Sequence, residues 1–358
     1  MTMSKRESTT DEIPSEMRRL VVMSPGTGTS VKDCTIAVES IQTPKPSSGE
    51  VLIKVVAAPV NPSDYGSWMR GSGDDYPMPM GKEGSGIVVA TNGYLAGFRF
   101  PVGTKVGFVV MDTKQGSYSE YVTANTMVSV FSMPQDKPIE DCASFFVNPY
   151  TACGILDTAK TKSGSTAIVH TAAASQLGQM LNKLAPSEGM QIINVVRREE
   201  QADLLKDLGA EHVIVTNRSG TWKKELKTKI RDLGATCAFD AVAGDTTGAL
   251  VEVLPDGGTC YVYGGLSKKH IGNVNPLDLV YRNKKIQGFL LNPWIENGGF
   301  LAMIHRLYKT GLKVNSGIHG GWCSSEFQDT TIEKTYDDIL ALIACGTNGK
   351  KLRVRFDA

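Results

Sequence analysis

No apolar run in this sequence approaches the ~18 residues that a membrane-crossing helix requires. Long runs of one charge are also missing, and the formal net charge is only +1. That balance argues against nucleic acid or a membrane surface as a partner. The first twenty residues lack the apolar core of a secretory signal, and Glu7, Asp11 and Glu12 are out of place in a transit peptide. The seven cysteines include no close pair, which fits a reducing, cytoplasmic setting better than a disulfide framework. Neither an internal repeat nor a low-complexity segment is present. What remains is an ordinary globular composition, 41% hydrophobic over 358 positions, enough for two domains or one large one.

Residues 1–18 read as a disordered tail. From about residue 20 to 130 the signals are those of strands: a continuous apolar run at 51–58 and shorter ones at 86–90 and 105–110, set between Gly and Pro punctuation. Helical periodicity is weak there. Residues 141–157 are mildly helical, with an interruption at Pro149. After Ser165 the chain alternates. Helix-like 199–208 carries Leu204, Leu205 and Leu208 on one stripe and stops at Gly209, which can take the left-handed closing conformation. Strand 212–216, helix 222–233, strand 237–242, helix 246–254, strand 259–264, helix 277–281 and strand 285–290 follow. Alternation of this kind predicts an α/β fold with a parallel sheet covered on both faces. Beyond residue 292 the pattern lapses into a helix at 300–312 and a terminal strand at 351–356, which is expected to return to the first domain.

The stretch 166–198 organises the second half. Ala167, Ile168 and Val169 enter a turn of small residues at 171–175. A helix-like segment (176–184) and a β-like run (191–196) follow, closed by Arg197 and Arg198. This is the layout of a nucleotide-binding βαβ unit. The Gly-x-Gly-x-x-Gly spacing falls on Ala173, Ser175 and Gly178, so only the last glycine is present. A pyrophosphate at a helix N-terminus is held by free N–H groups and the helix dipole. Thr171, Ala173 and Ser175 in the turn, with Gln176, Leu177 and Gly178 at the helix start, are placed to hold it. The hydroxyls of Thr171 and Ser175 are expected to offset weak backbone donation. An alanine-rich turn could equally be there for tight packing.

Arg197 shifts the balance. An acid about 20 positions past the turn would bind a ribose 2′-hydroxyl, whereas arginine accommodates a 2′-phosphate. Arg197 stands nineteen residues after Gly178, and guanidinium pairs bidentately with phosphate. NADPH is therefore favoured over NADH. The alternative is a solvated first turn of the next helix, but two cations there would oppose the helix dipole.

Several short segments carry a resemblance. Asn61-Pro62-Ser63-Asp64, Gly81-Lys82-Glu83-Gly84-Ser85-Gly86, Gly116-Ser117-Tyr118-Ser119-Glu120-Tyr121-Val122, Val147-Asn148-Pro149-Tyr150-Thr151-Ala152, Tyr263-Gly264-Gly265 and Gly288-Phe289-Leu290-Leu291 occur in that order. Together they resemble the medium-chain dehydrogenase/reductase superfamily, in its zinc-free quinone oxidoreductase and 2-enoyl thioester reductase branch. The resemblance implies a doubly wound (Rossmann) cofactor domain at 151–292. It also implies a discontinuous β-rich, GroES-like catalytic domain at 19–150 and 293–358, with NADPH in the cleft between them and a homodimer formed through the cofactor domain. Asn148, Thr151, Tyr263, Gly264, Gly265, Phe289 and Leu290 would lie along the cofactor. Asn148 and Thr151 could also cap the helix that starts near them.

Zinc-dependent relatives place Cys, His and Cys where this chain has Asn61, Lys82 and about Val147. An ammonium and a hydrocarbon cannot ligate zinc, so no metal is expected. Tyr76, before Pro77, matches the tyrosine that acts as acid in the enoyl reductases, with Tyr65 as competitor or substrate contact. Asn61 is a candidate for bonding cofactor or substrate, or for capping the turn before Pro62. Trp294 would line the substrate cleft or serve as a buried structural residue. The expected activity is NADPH-dependent reduction of an activated C=C bond in a 2-enoyl thioester or enone. The alternatives are quinone reduction, and a cofactor-binding protein with little turnover.

Overall fold

The computed structural model describes residues 13–27, 30–69, 71, 73–216, 220–345 and 349–356. The chain divides into two compact units. One runs to Ala143 and adds 329–345 and the chain from Leu352; the other holds 144–328 and Lys351 with the few residues before it.

The first unit contains β1 (Glu16–Ser24), β2 (Thr35–Gln42), β3 (Glu50–Pro59), α1 (Pro62–Trp68), β4 (Met78–Pro79), β5 (Glu83–Thr91), α2 (Tyr94–Arg99), β6 (Lys105–Val109), β7 (Tyr121–Asn125) and β8 (Val130–Ser132). The second contains α3 (Val147–Ser163), β9 (Ala167–Thr171), α4 (Gln176–Leu184), β10 (Gln191–Val196), α5 (Glu199–Asp207), β11 (His212–Val215), α6 (Trp222–Leu233), β12 (Cys237–Asp240), α7 (Asp245–Val253), β13 (Thr259–Val262), α8 (Pro276–Val280), β14 (Lys285–Gly288), α9 (Leu291–Glu296) and α10 (Phe300–Gly320). The last elements are β15 (Phe327–Thr330), α11 (Thr335–Cys345) and β16 (Lys351–Arg355).

β3 is the axis of the first unit. β5 pairs with it along one side; β7 takes the first half of the other side and β16 the second half, all antiparallel. Val51, Ile53, Val55, Ala57 and Ala58 are all essentially inaccessible, which is why this strand reads as one apolar run rather than an alternation. Its core gathers Trp68, Phe108, Tyr118, Ile339 and Val354. Arg353 fixes the returning strand: its guanidinium is bidentate to Asp329 (2.6 and 3.0 Å) and donates to the Glu140 carbonyl at 2.8 Å.

The second unit is built on a six-stranded parallel sheet in the order β11-β10-β9-β12-β13-β14. Numbered from β9, that is 3-2-1-4-5-6, the doubly wound order. One face packs Ile168, Phe239, Tyr261 and Phe289 against α3 and α4; the Phe239 and Tyr261 rings are stacked with centroids 4.9 Å apart. The other face packs Ala167, Val169, Ile193 and Val195 against Leu226 and Ile230 of α6 and Leu250 and Val251 of α7. α5 ends as its leucine stripe ends, with Gly209 at φ +86.

The structure departs from the sequence reading in four places. The tail is shorter than 1–18, because Glu16–Arg18 already pair with Ser40–Gln42 and Met17 is buried; residues 1–12 lie outside the described residues. Pro149 opens α3 instead of interrupting it, since a first-turn proline forfeits no intrahelical bond. α10 runs on to Gly320. Residues 293–328 belong to the second unit, not to the returning segment. Tyr150 in α3 donates to the Leu307 carbonyl (3.0 Å), and Trp294 to Asp157 (2.8 Å). No helix among the described residues is long and apolar enough to cross a membrane. The six described cysteines are free and buried.

Candidate functional site

In an open parallel sheet, ligands bind outside the carboxyl ends of the strands where the order reverses. Here that point lies between β9 and β12. Beyond β9 the chain turns through Ala172, at φ +50, and enters α4. Ser175 is the N-cap, and its Oγ accepts from the Gly178 N–H at 3.2 Å. The remaining N–H groups of the first turn have no intrahelical partner and face the carboxyl end of the sheet. A Cβ on Gly178 would lie 2.0 Å from the Ala173 carbonyl oxygen, so helix and turn touch backbone to backbone. Gln176 is tied by its side-chain amide to the Gly349 carbonyl. The Ala173 and Leu177 side chains are buried in the core, so what they can offer a ligand is backbone.

Thr171 does not behave as the sequence suggests. Its hydroxyl donates to Asp240 at 2.7 Å and accepts from the Ala241 N–H at 2.9 Å. It is therefore committed to the interior and cannot also serve a pyrophosphate. Asp240, at the end of β12, is inaccessible. Its other bonds come from the Val242 and Ala243 N–H groups (2.9 and 3.2 Å) and the Thr247 hydroxyl (2.7 Å).

Next to it, His170 Nε2 and the Tyr263 hydroxyl are 2.7 Å apart, with the rings stacked at 8°. His170 is fully buried, and among the described residues its Nδ1 has no hydrogen-bond partner. Burial lowers its pKa from the ordinary 6.5 to about 3, so the ring is neutral at physiological pH. Gly264 and Gly265 follow Tyr263. Phe289 has its ring in the core, whereas Leu290 is exposed. Asn148 and Thr151 sit three residues apart on one face of the first turns of α3. The helix starts before both, so neither is its N-cap. Trp294, bonded to Asp157 and faced by the Arg306 guanidinium at 5.5 Å, packs on the core of this unit. This geometry gives it a packing role in this unit.

Arg197 and Arg198 follow the last residue of β10 and are exposed. Their N–H groups both donate to Gln201 Oε1 (3.1 and 3.2 Å), which fixes the backbone at the start of α5. Among the described residues neither guanidinium has an ion-pair partner.

In the first unit, the sequence motifs meet in a buried network. Asn61 is 1% exposed and is the N-cap of α1; its Nδ2 donates to Glu83 at 3.0 Å and its N–H to Asp64 at 2.8 Å. The Tyr118 hydroxyl donates to the same Asp64 oxygen at 3.0 Å. Asn61 thus acts as a cap and a brace, and its amide nitrogen is not directed to a ligand. Tyr76, half-buried, donates its hydroxyl proton to the Trp68 carbonyl at 2.5 Å. Tyr65 lies edge-on to Trp68, with centroids 6.2 Å apart. Burial and the neighbouring Asp64 carboxylate push its pKa up to about 12. Among the described residues its hydroxyl has no hydrogen bond.

Residues 47–135 match the alcohol dehydrogenase GroES-like domain family, and residues 177–306 match the zinc-binding dehydrogenase family. A mitochondrial enoyl-[acyl-carrier-protein] reductase from Xenopus tropicalis is 32% identical over 272 residues, covering 72% of this chain and 74% of its own. This chain belongs to the medium-chain dehydrogenase/reductase superfamily, in its enoyl reductase and quinone oxidoreductase branch. Among solved structures, a candidate NADPH:quinone reductase from Mesorhizobium loti superposes with a TM-score of 0.81 at 28% identity, over 96% of this chain and 99% of that one. The Escherichia coli quinone oxidoreductase complexed with NADPH gives 0.79 at 17% identity, over 95% and 100%.

Some members of the superfamily carry zinc, but the residues here do not suit it. Lys82 is an ammonium bonded to the Ser63 carbonyl (2.8 Å), Val147 is a hydrocarbon, and the Asn61 amide donates to Glu83. Among the described residues no group of three His, Cys, Asp or Glu could hold a metal ion. Two residues of the superfamily sheet escaped the sequence reading. Asp240 and His170 are polar residues at the ends of otherwise apolar strands, and that placement was the available signal.

His170 yields a pH test. Its folded pKa lies below its unfolded value, so the unfolded chain binds the extra proton between about pH 6.5 and 3, and stability falls as pH drops through that window. The slope from this residue approaches about 1.4 kcal/mol per pH unit. Urea unfolding at a series of pH values should show that part of the slope missing in His170→Gln; identical slopes would refute the assignment.

Proposed function

We propose that this chain is an NADPH-dependent reductase of activated carbon–carbon double bonds, 2-enoyl thioesters or enones, that works without zinc. The observation that carries the cofactor reading is the pair Arg197–Arg198 at the carboxyl end of β10, without ion-pair partners among the described residues. Two guanidiniums there suit a 2′-phosphate, and the open first turn of α4 suits a pyrophosphate. Bound NADPH would supply a hydride to the β-carbon of the acceptor. The protein must then stabilise negative charge on the carbonyl oxygen and deliver a proton to the α-carbon. Tyr65 suits the proton delivery, because a phenol with a pKa near 12 is protonated at neutral pH and its hydroxyl is uncommitted. Tyr76, whose proton is spent on the Trp68 carbonyl, suits it less well.

A second reading is quinone reduction, favoured by the likeness to the Mesorhizobium loti protein. A quinone takes its proton on oxygen and needs no phenol nearby. The reading also includes a homodimer. β14 is an edge strand with three of its four residues exposed, and beside it Leu277, Val280 and Tyr281 of the α8 segment are 55%, 69% and 80% exposed. An unpaired edge flanked by apolar side chains suits pairing with a second copy.

Arg197→Asp should raise the KM for NADPH roughly tenfold or more while leaving that for NADH little changed; equal changes would count against a phosphate site. Tyr65→Phe should lower crotonyl-thioester turnover about a hundredfold, with naphthoquinone reduction unaffected, whereas Tyr76→Phe should cost little. Full thioester turnover in Tyr65→Phe would remove the proton-donor role, and tight NADPH binding with no turnover on either acceptor would favour a binding-only protein. Dialysis against a chelator should leave the rates unchanged. In sedimentation, Val280→Asp should shift a dimer to monomer.

A further inference from the structure

The first unit carries an apolar surface that neither its core nor the proposed reaction uses. In α2, Tyr94, Leu95 and Phe98 are 87%, 71% and 76% exposed, and Val102 just beyond is 57% exposed. At 3.6 residues per turn the three helical side chains fan over about 100° of the circumference. The opposite side is anchored, with Ala96 and Phe100 buried in the core. The helix is thus held rigidly while its large apolar side chains point outward, which is the reverse of ordinary amphipathic packing.

Two neighbouring segments are tied to its base. The Asn92 side chain donates to the Pro46 carbonyl at 2.8 Å, bringing in the loop of exposed Lys45. The Gly49 N–H donates to the Asn92 carbonyl at 2.8 Å, and the Thr126 N–H and hydroxyl both bond the Gly49 carbonyl (3.1 and 2.9 Å). That places the turn of Met127, 60% exposed, on the same base. Charge is one-sided. Positions 84–111 contain no acidic residue. Arg99, next to Leu95 on the helix and lying over the Phe100 ring at 5.5 Å, and Lys45 have no ion-pair partners among the described residues.

We propose that this surface docks on an anionic lipid bilayer. Tyr94, Leu95 and Phe98 enter the boundary between headgroups and acyl chains, and Arg99 and Lys45 meet lipid phosphates. Exposed apolar side chains beside cations that lack ion-pair partners among the described residues match an anionic interface; the one carboxylate on this base, Glu50, accepts from the Ser47 N–H at 2.8 Å. The near-zero net charge of the whole chain conceals this local excess. The inference is independent of the reaction proposed above.

The test is flotation of the full chain with vesicles of phosphatidylcholine alone or mixed equally with phosphatidylglycerol. Wild type should bind the anionic vesicles, and the double variant Leu95→Asp/Phe98→Asp should bind about tenfold less or weaker still. Lys45→Gln/Arg99→Gln should lose the preference for anionic lipid and the salt dependence. All four positions are exposed, so the melting temperature and NADPH binding should be unchanged and serve as folding controls. No wild-type binding, or equal binding by the Asp variant, would overturn the proposal. So would self-association without lipid that the Asp variant abolishes, since the surface would then be a protein contact.

Discussion

The second unit depends on a carboxylate that water does not reach. Asp240 ends β12 and accepts four hydrogen bonds, from Thr171, Val242, Ala243 and Thr247. Burying a charge without partners is strongly unfavourable, and four donors on two oxygens offset that. The Thr171 bond spans the two strands between which the sheet order reverses. It therefore fixes the separation of β9 and β12 where a crevice must open. The turn into α4 leaves from Thr171, and the Tyr263 N–H is held by the Asp240 carbonyl at 2.9 Å. The turn into α4 and the loop after β13 are both referenced to one residue, the first through its carboxylate and the second through its backbone carbonyl.

A comparable device organises the first unit, with a different purpose. Three segments that look like binding motifs in the sequence are bonded to one another: Asn61 to Glu83, and Asp64 to Tyr118. Polar residues buried in this way specify one arrangement of loops, because any other leaves charges unpaired. The result is a firm floor under α1, on which Tyr65 is carried with a hydroxyl that makes no hydrogen bond among the described residues. The motif residues act through position, bracing the loops around α1.

The alternating half was legible because periodicity reports burial, and a parallel sheet covered on both faces imposes it strongly. The six strands followed from that alone; their order is set by the pairing of β9 with β10 and β12. The first unit was less legible: α1 and α2 are short, and α2 turns apolar residues outward, which defeats any periodic reading. Site residues were harder still. Thr171 and Phe289 lie at the right places in the chain but point inward, and nothing in a one-dimensional pattern distinguishes the two faces of a strand end. The exposure of Arg197 and Arg198 was legible because cations at a helix start run against the dipole and do not belong in a packed interior. The boundary at 292 failed because α9 and α10 dock on α3 through Trp294 to Asp157 and through the Leu307 carbonyl to Tyr150, partners that lie far away in sequence.

The missing glycines of the fingerprint have a structural account. In the usual motif the first two glycines allow a tight turn and close backbone approach. Here Ala173 directs its methyl into a cluster with Ala202, Leu205 and Val215, away from the ligand side. Ser175 sits at φ −65, ψ 162, a conformation open to any residue, and supplies a cap that glycine cannot. The tight turn is displaced onto Ala172, whose positive φ costs on the order of 1 kcal/mol. Only at Gly178 does the approach leave no room for a Cβ. The one fingerprint glycine that survives is thus the one required by the contact between helix and turn. The two replaced are those whose function the local backbone meets by other means, so the weak motif and a competent turn are compatible.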